Sequence, residues 1–240
     1  MQYVGSKRKM KDDLRRIFSR YRKKGQLYVE PFVGGAKSKE RFDNPRWGND
    51  IHYELIQVFI ALQKGWTPPD VITEEDYYYI KEHRDELHPA LVGFVGFNCS
   101  FGNKYWGGYA RNSEGKDYCG GSQKSILKQA PLLKGIKFTS MPYQQMKIPK
   151  NSFIYCDPPY EGTTKYKGSG SFSHHEFWEW AAYMGEIGNT VFVSEYSQPK
   201  VNGFEKVFQK EIRSTLSMDN QQKKIERLYM WTGKKQSNRR

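Results

Sequence analysis

Ser152-Phe153-Ile154-Tyr155-Cys156 is apolar almost without interruption and runs straight into Asp157-Pro158-Pro159-Tyr160. An apolar run this short, closed by residues that end regular structure, reads as a buried strand. The paired prolines fix their own φ angles and push the residue before each of them into extended geometry. A strand end is therefore followed at once by a stiff loop that opens with a carboxylate. Chains that alternate such strands with helices build a layered α/β sheet and bind ligands at the strand C-terminal ends.

The rest of the chain supplies that alternation. Between Gly5 and Tyr21, Met10, Leu14, Ile17, Phe18 and Tyr21 are spaced as one face of a helix, with basic residues on the remainder. Gly25 stops it, and Gln26 to Glu30 reads as a short strand breaking into Pro31-Phe32-Val33-Gly34-Gly35. Arg46 to Asp50 closes a second strand, and Ile51, Leu55, Ile56, Phe59, Ile60 and Leu62 predict a largely buried helix ending at Gly65. Ile136 to Thr139 and Thr190 to Ser194 add strands, and Ser173 with Glu176 forms a capping box opening a helix through Met184. Lys206 to Ile212 and Ile225 to Trp231 predict a terminal hairpin, followed by a frayed basic tail from Lys234.

From Trp66 to about Tyr143 the character changes. A proline pair, an acidic, tyrosine-rich stretch from Glu74 to Tyr79 and a glycine- and aromatic-rich run from Phe94 to Gly121 lack sustained periodicity. The expectation is a partly irregular inserted module over residues 66-143, flanked by two parts of one main domain, 1-65 and 144-240. The expected architecture is a three-layer α/β sheet with a terminal antiparallel hairpin and a small inserted lobe.

Lys and Arg outnumber Asp and Glu by 39 to 26, a formal net charge of +13, which favours a polyanionic partner such as nucleic acid. No apolar run reaches the length of a membrane helix and the N-terminus lacks a signal-peptide pattern, so a soluble, intracellular, cytoplasmic protein with no membrane partner is expected. Cys99, Cys119 and Cys156 are odd in number and widely spaced, without a metal-binding pattern, so neither a disulfide framework nor a zinc site is expected.

Three segments put glycines or a carboxylate just past a strand. Gly34 and Gly35 let a backbone approach a ligand closely and leave amide N-H groups to bind it, although such turns also occur without a ligand. Asp50, twenty residues beyond Glu30, stands where nucleoside-binding sheets place a carboxylate on ribose hydroxyls; a helix N-cap before Ile51 is the plainer reading. Asp157 to Tyr160 is the most specific. Adenine N6 is a poor nucleophile because its lone pair is delocalised into the ring. A fixed carboxylate and a backbone carbonyl accepting both N6 hydrogens draw that amine toward a tetrahedral form, and Tyr160 is placed to stack on an extruded base.

Together these segments resemble the DNA adenine methylase (Dam-type) family, in the family's motif order and over nearly the whole chain. Tyr3-Val4-Gly5-Ser6-Lys7 resembles its opening cofactor element, Tyr28 to Gly35 its glycine loop, Asp50 its ribose-binding acid and Asp157 to Tyr160 its catalytic loop. The resemblance implies a Rossmann-like methyltransferase sheet whose insert recognises the target. It also implies S-adenosylmethionine as cofactor and transfer of its methyl group to N6 of a flipped adenine in double-stranded DNA. Tyr3, Lys7, Glu30, Phe32, Gly34, Gly35, Asp50 and Asp157 are then the cofactor residues, and Asp157, Pro158 and Tyr160 the catalytic ones. Lys104, Arg111 and Asn112, with Tyr160, are the substrate contacts. Trp106 and Tyr109 either stack on bases or are buried in the small lobe. His174 and His175 read as surface or capping residues of a helix's first turn.

Two rivals keep part of this reading. Structured RNA as substrate preserves the chemistry, and a non-catalytic nucleic-acid-binding scaffold preserves only the fold.

Overall fold

The computed structural model describes residues 10–36, 43–111, 118–161, 172–213 and 223–234. Tyr3, Lys7 and Asn112 lie outside the described residues, as does the basic tail after Lys234. In chain order the elements are α1 (Lys11–Tyr21), β1 (Tyr28–Glu30), β2 (Arg46–Asn49), α2 (Tyr53–Gln63), α3 (Glu74–Glu82), α4 (Pro89–Asn98), α5 (Tyr118–Gln129), β3 (Ile136–Thr139), β4 (Phe153–Cys156), α6 (His174–Glu186), β5 (Thr190–Glu195), β6 (Phe204–Arg213) and β7 (Lys223–Trp231). The strands form one seven-stranded sheet in the order β3-β2-β1-β4-β5-β7-β6. Pairing of β1 with β4, β4 with β5 and β2 with β3 is parallel, whereas β7 runs antiparallel to both β5 and β6. The expected terminal hairpin is thus β6 and β7.

By internal contacts the chain divides into two compact units. Residues 33–143 belong to the first; residues 9–32 and 144–240 belong to the second.

In the second unit, β4 and β5 are buried almost throughout, which fits the unbroken apolar runs of strands paired in parallel. Phe18 of α1 packs on Phe153, Tyr155 and Phe192 with ring centroids 5.0 to 5.2 Å apart, so the helix is held by its aromatic stripe. The Ser173 hydroxyl accepts from the Glu176 amide at 3.3 Å, starting α6 where the capping signal put it. Trp178 of α6 meets Phe204 edge-on at 4.9 Å and anchors the helix against the hairpin strands.

In the first unit, α2 and α4 pack through Leu55, Val58, Phe59, Val92, Phe94 and Val95, all buried. Two expectations fail here. Ile51 is 57% exposed, because α2 starts only at Tyr53, after a turn held by Asp50. The run from Phe94 to Gly121 is also more regular than expected, since α4, a 3-10 turn at Phe101–Asn103 and α5 occupy most of its described residues. The eight residues of α4 from Ala90 to Asn98 other than Leu91 are all buried. A helix apolar on every side carries no amphipathic period, so the spacing of its residues does not mark α4. Pro89 in its first turn and the His88 ring nitrogen, which accepts from the Ala90 amide at 3.2 Å, start it.

Cys99 and Cys119 are free thiols with sulfurs 3.0 Å apart, both buried. Their distance in sequence hid this pairing, which the ends of α4 and α5 create.

Candidate active site

The first unit holds the glycine turn and Asp50. Val33 donates to the Asn49 carbonyl at 2.7 Å, which ties the turn to the end of β2. Gly34 has φ of 46°, a conformation that a side chain disfavours, and its N-H donates to Asp50 Oδ2 at 3.0 Å. Asp50 Oδ1 accepts from the His52 amide at 3.1 Å, two residues on. Asp50 is therefore no helix N-cap: His52 occupies that position, and Asp50 closes the turn before it. Burial pushes the Asp50 carboxyl upward, while the His52 and Gly34 amides pull it back toward the charged form. The Gly34 N-H, expected to be free for a ligand, is taken by this carboxylate, because a buried carboxylate needs donors. Gly35 is buried, and its carbonyl accepts from the Gln129 side chain at 2.9 Å.

The same unit carries the described substrate candidates. Lys104 is exposed beside the 3-10 turn. Arg111 is 67% exposed and forms an ion pair with Glu74 of α3. The Tyr109 hydroxyl donates to the Ile72 carbonyl at 2.7 Å, and Trp106 lies against the core with its ring 5.0 Å from that of Tyr77. Both are partly buried and pack against the core of this unit.

The second unit holds Glu30, Phe32 and the Asp-Pro-Pro-Tyr loop. Glu30 ends β1 almost fully buried and accepts from the Tyr28 hydroxyl at 2.7 Å. Phe32 meets Phe177 of α6 edge-on at 5.6 Å and Phe172 at 5.9 Å. Asp157 follows β4 directly and is half-buried, with Pro158 buried behind it. Its negative charge contributes to raising the phenols of Tyr155 and Tyr160, the Cys156 thiol and the Glu195 carboxyl, with burial the larger cause in each. Tyr160 is fixed at both ends of its ring system. Its hydroxyl donates to Glu226 Oε1 at 2.8 Å, and its ring meets Tyr196 edge-on at 4.3 Å.

Two carboxylates here escaped the sequence reading. Glu195 is only 1% exposed, and its Oε1 accepts from the Tyr196 amide at 2.7 Å; the backbones of Glu161 and Ser197 also hydrogen-bond to it. Through Glu161 it grips the residue that follows Tyr160. Burial raises its carboxyl to about 7 despite those amides. The signal that singled out Asp50 and Asp157, an acid just past an apolar strand, was available for Glu195 too. Glu226, 3% exposed on β7, had no such signal, since alternation in a hairpin strand does not say which face is buried. His174 opens α6 with its Nδ1 3.9 Å from Glu195 Oε2, and burial lowers its pKa. His175 lies on the surface beside Glu179.

A sheet running 3-2-1-4-5 with an antiparallel strand added between β5 and β6 defines a class, the Rossmann-like methyltransferase fold. Within that class, residues 3–102 match the model of the family described as D12 class N6 adenine-specific DNA methyltransferase, consistent with the Dam-type resemblance. The matched segment includes Glu30, Phe32, Gly34, Gly35 and Asp50 and ends before Asp157.

Similar solved structures include yhhF from Escherichia coli, assigned as a methyltransferase, at 8% identity and a TM-score of 0.39, covering 95% of this chain and 86% of that one. The N-terminal domain of human METTL16, solved with SAH, has 9% identity and a TM-score of 0.35, covering 94% and 68%. SMU.472, assigned as a methyltransferase and solved with SAH, has 11% identity and a TM-score of 0.34; the match covers 92% of this chain and about half, 52%, of that one.

Proposed function

We propose that the chain is an S-adenosylmethionine-dependent methyltransferase that methylates N6 of a flipped adenine in double-stranded DNA. The observation that carries the reading is Asp157: a half-buried carboxylate at a strand end, stiffened by two prolines and followed by a tyrosine held by Glu226 and Tyr196.

The donor set fits the cofactor. Carboxylate oxygens are the acceptors that ribose hydroxyls require; in the first unit Asp50 supplies them at the glycine turn, and Glu30 at the end of β1 belongs to the same cofactor side of this reading. When bound, S-adenosylmethionine supplies a methyl group on a sulfonium that is intrinsically a good leaving group. The chain's own residues do the rest. Asp157 and the backbone carbonyl of the loop accept the two N6 hydrogens and free the nitrogen lone pair, and the proton shed by the methylated nitrogen leaves along the hydrogen bond to Asp157 and on to water. Tyr160 stacks on the extruded base, and the prolines hold the geometry so that no reorganisation accompanies transfer. Tyr3, Lys7, Phe32, Gly34 and Gly35 belong to the cofactor side of this reading. Lys104, Arg111 and Asn112, in the 66-143 insert, belong to the DNA side.

The test is labelled methyl transfer to unmethylated duplex DNA, followed by digestion to nucleosides. The expected product is N6-methyldeoxyadenosine, made by the wild type and abolished in Asp157→Ala with thermal unfolding little changed. Near-normal transfer by that variant would overturn the role of Asp157. Labelling of structured RNA in place of DNA would overturn the substrate, and loss of all cofactor binding in the wild type would favour a scaffold.

A further inference from the structure

Beyond Tyr160 the second unit carries an open cleft of about 380 Å³ lined by Glu161, Tyr196, Lys224, Ile225 and Arg227. Its volume falls within the roughly 300–1,000 Å³ usual for ligand pockets. Tyr196, edge-on to Tyr160 at 4.3 Å, makes the cleft continuous with the catalytic loop. The Lys224 ammonium lies 5.2 Å from the Tyr196 ring centroid, and Arg227 donates to the Tyr196 carbonyl. Glu161, the one carboxylate among the described residues of the rim, is paired with Lys200 at 2.9 Å. Ile225, at 41% exposure, adds apolar surface that water does not reward. An aromatic ring, an aliphatic side chain and cations exceeding carboxylates match a flat base carrying a phosphate.

We propose that this cleft binds the nucleotide adjoining the target adenine in the same strand, its base against Tyr196 and Ile225 and its phosphate on Lys224 and Arg227. This rests on the proposed function for the identity of the target, though not for the chemistry of the cleft. A strand, more than a free nucleotide, is favoured by the cleft's continuity with Tyr160 and by the chain's net charge of +13.

The experiment is fluorescence anisotropy of a labelled adenine-containing duplex with the full chain across a salt series. Tyr196→Leu is expected to weaken binding about tenfold and Tyr196→Phe to bind like the wild type, because stacking needs the ring. Lys224→Ala is expected to weaken binding several-fold and to lower the salt slope by about one. Wild-type affinity and slope in both Tyr196→Leu and Lys224→Ala would overturn the proposal; Lys224→Ala keeps that outcome readable if the tyrosine variant unfolds. Competition by adenosine monophosphate as strong as that by unlabelled duplex would overturn the strand assignment. Binding losses as expected in a chain whose wild type transfers no methyl group would support the cleft and sink the proposed reaction, whereas normal binding by active variants would do the reverse.

Discussion

At the scale of single residues, Glu195 shows how a buried acid couples the site to pH. Its carboxyl stands at about 7 in the folded chain against an ordinary 4.5, so the folded state holds its proton more tightly than the unfolded one. The stability this lends is complete below about pH 4.5 and is lost as pH rises through about 7, a change on the order of 3 kcal/mol. The groups facing it are Asp157, His174, Tyr229 and the Tyr196, Ser197 and Glu161 amides. Glu195→Gln cannot ionise, so its melting temperature should gain on that of the wild type between pH 5 and pH 8; parallel pH responses would refute the burial argument. Asp50→Asn should act differently. One of its two oxygens becomes an N-H₂ facing the Gly34 or His52 amide, a donor against a donor, costing roughly 1–3 kcal/mol. Denaturant unfolding reads that cost, and cofactor titration reads its effect on the glycine turn. Asp157 and Tyr160 were legible in the sequence because prolines after an apolar run leave a local mark. Glu226 was not, because its partner Tyr160 is 66 residues away.

At the scale of elements, legibility followed amphipathicity. α1, α6 and β4 announced themselves through a stripe, a cap or an apolar run, while α4 was hidden by being buried on every side. Its glycines carry the same lesson in a testable form. A Cβ added at Gly93 would overlap the Glu54 carbonyl of α2, whereas one added at Gly121 in α5 meets nothing within 4 Å among the described residues. Gly93→Ala must push two helices apart and should destabilise by roughly 1–3 kcal/mol. Gly121→Ala removes only backbone freedom from an exposed helical position and should stabilise by about 0.5–1 kcal/mol. Chemical unfolding of the two variants side by side should give shifts of opposite sign, and two shifts of the same sign would refute the packing of α2 on α4.

At the scale of the whole molecule, strand order lay beyond the sequence. β1 has three residues and pairs with β4, more than a hundred positions away, so no local pattern encodes the register Tyr28 with Phe153. Net charge, by contrast, is a whole-chain property read directly from composition, and its consequence is quantitative. A chain at +13 that binds DNA through Lys and Arg contacts with phosphates releases counterions as it binds. The logarithm of its association constant should then fall linearly with the logarithm of salt concentration, by about 0.9 for each phosphate neutralised. Methyl transfer measured below saturating DNA should follow the same line, because salt acts on encounter and binding, while the step proposed for the loop opened by Asp157 involves no bulk counterion. At saturating DNA the rate should be nearly flat with salt. A turnover that drops with salt even at saturation would mean that ions disturb the site itself, and a binding constant indifferent to salt would mean that the chain's positive charge does not face nucleic acid at all.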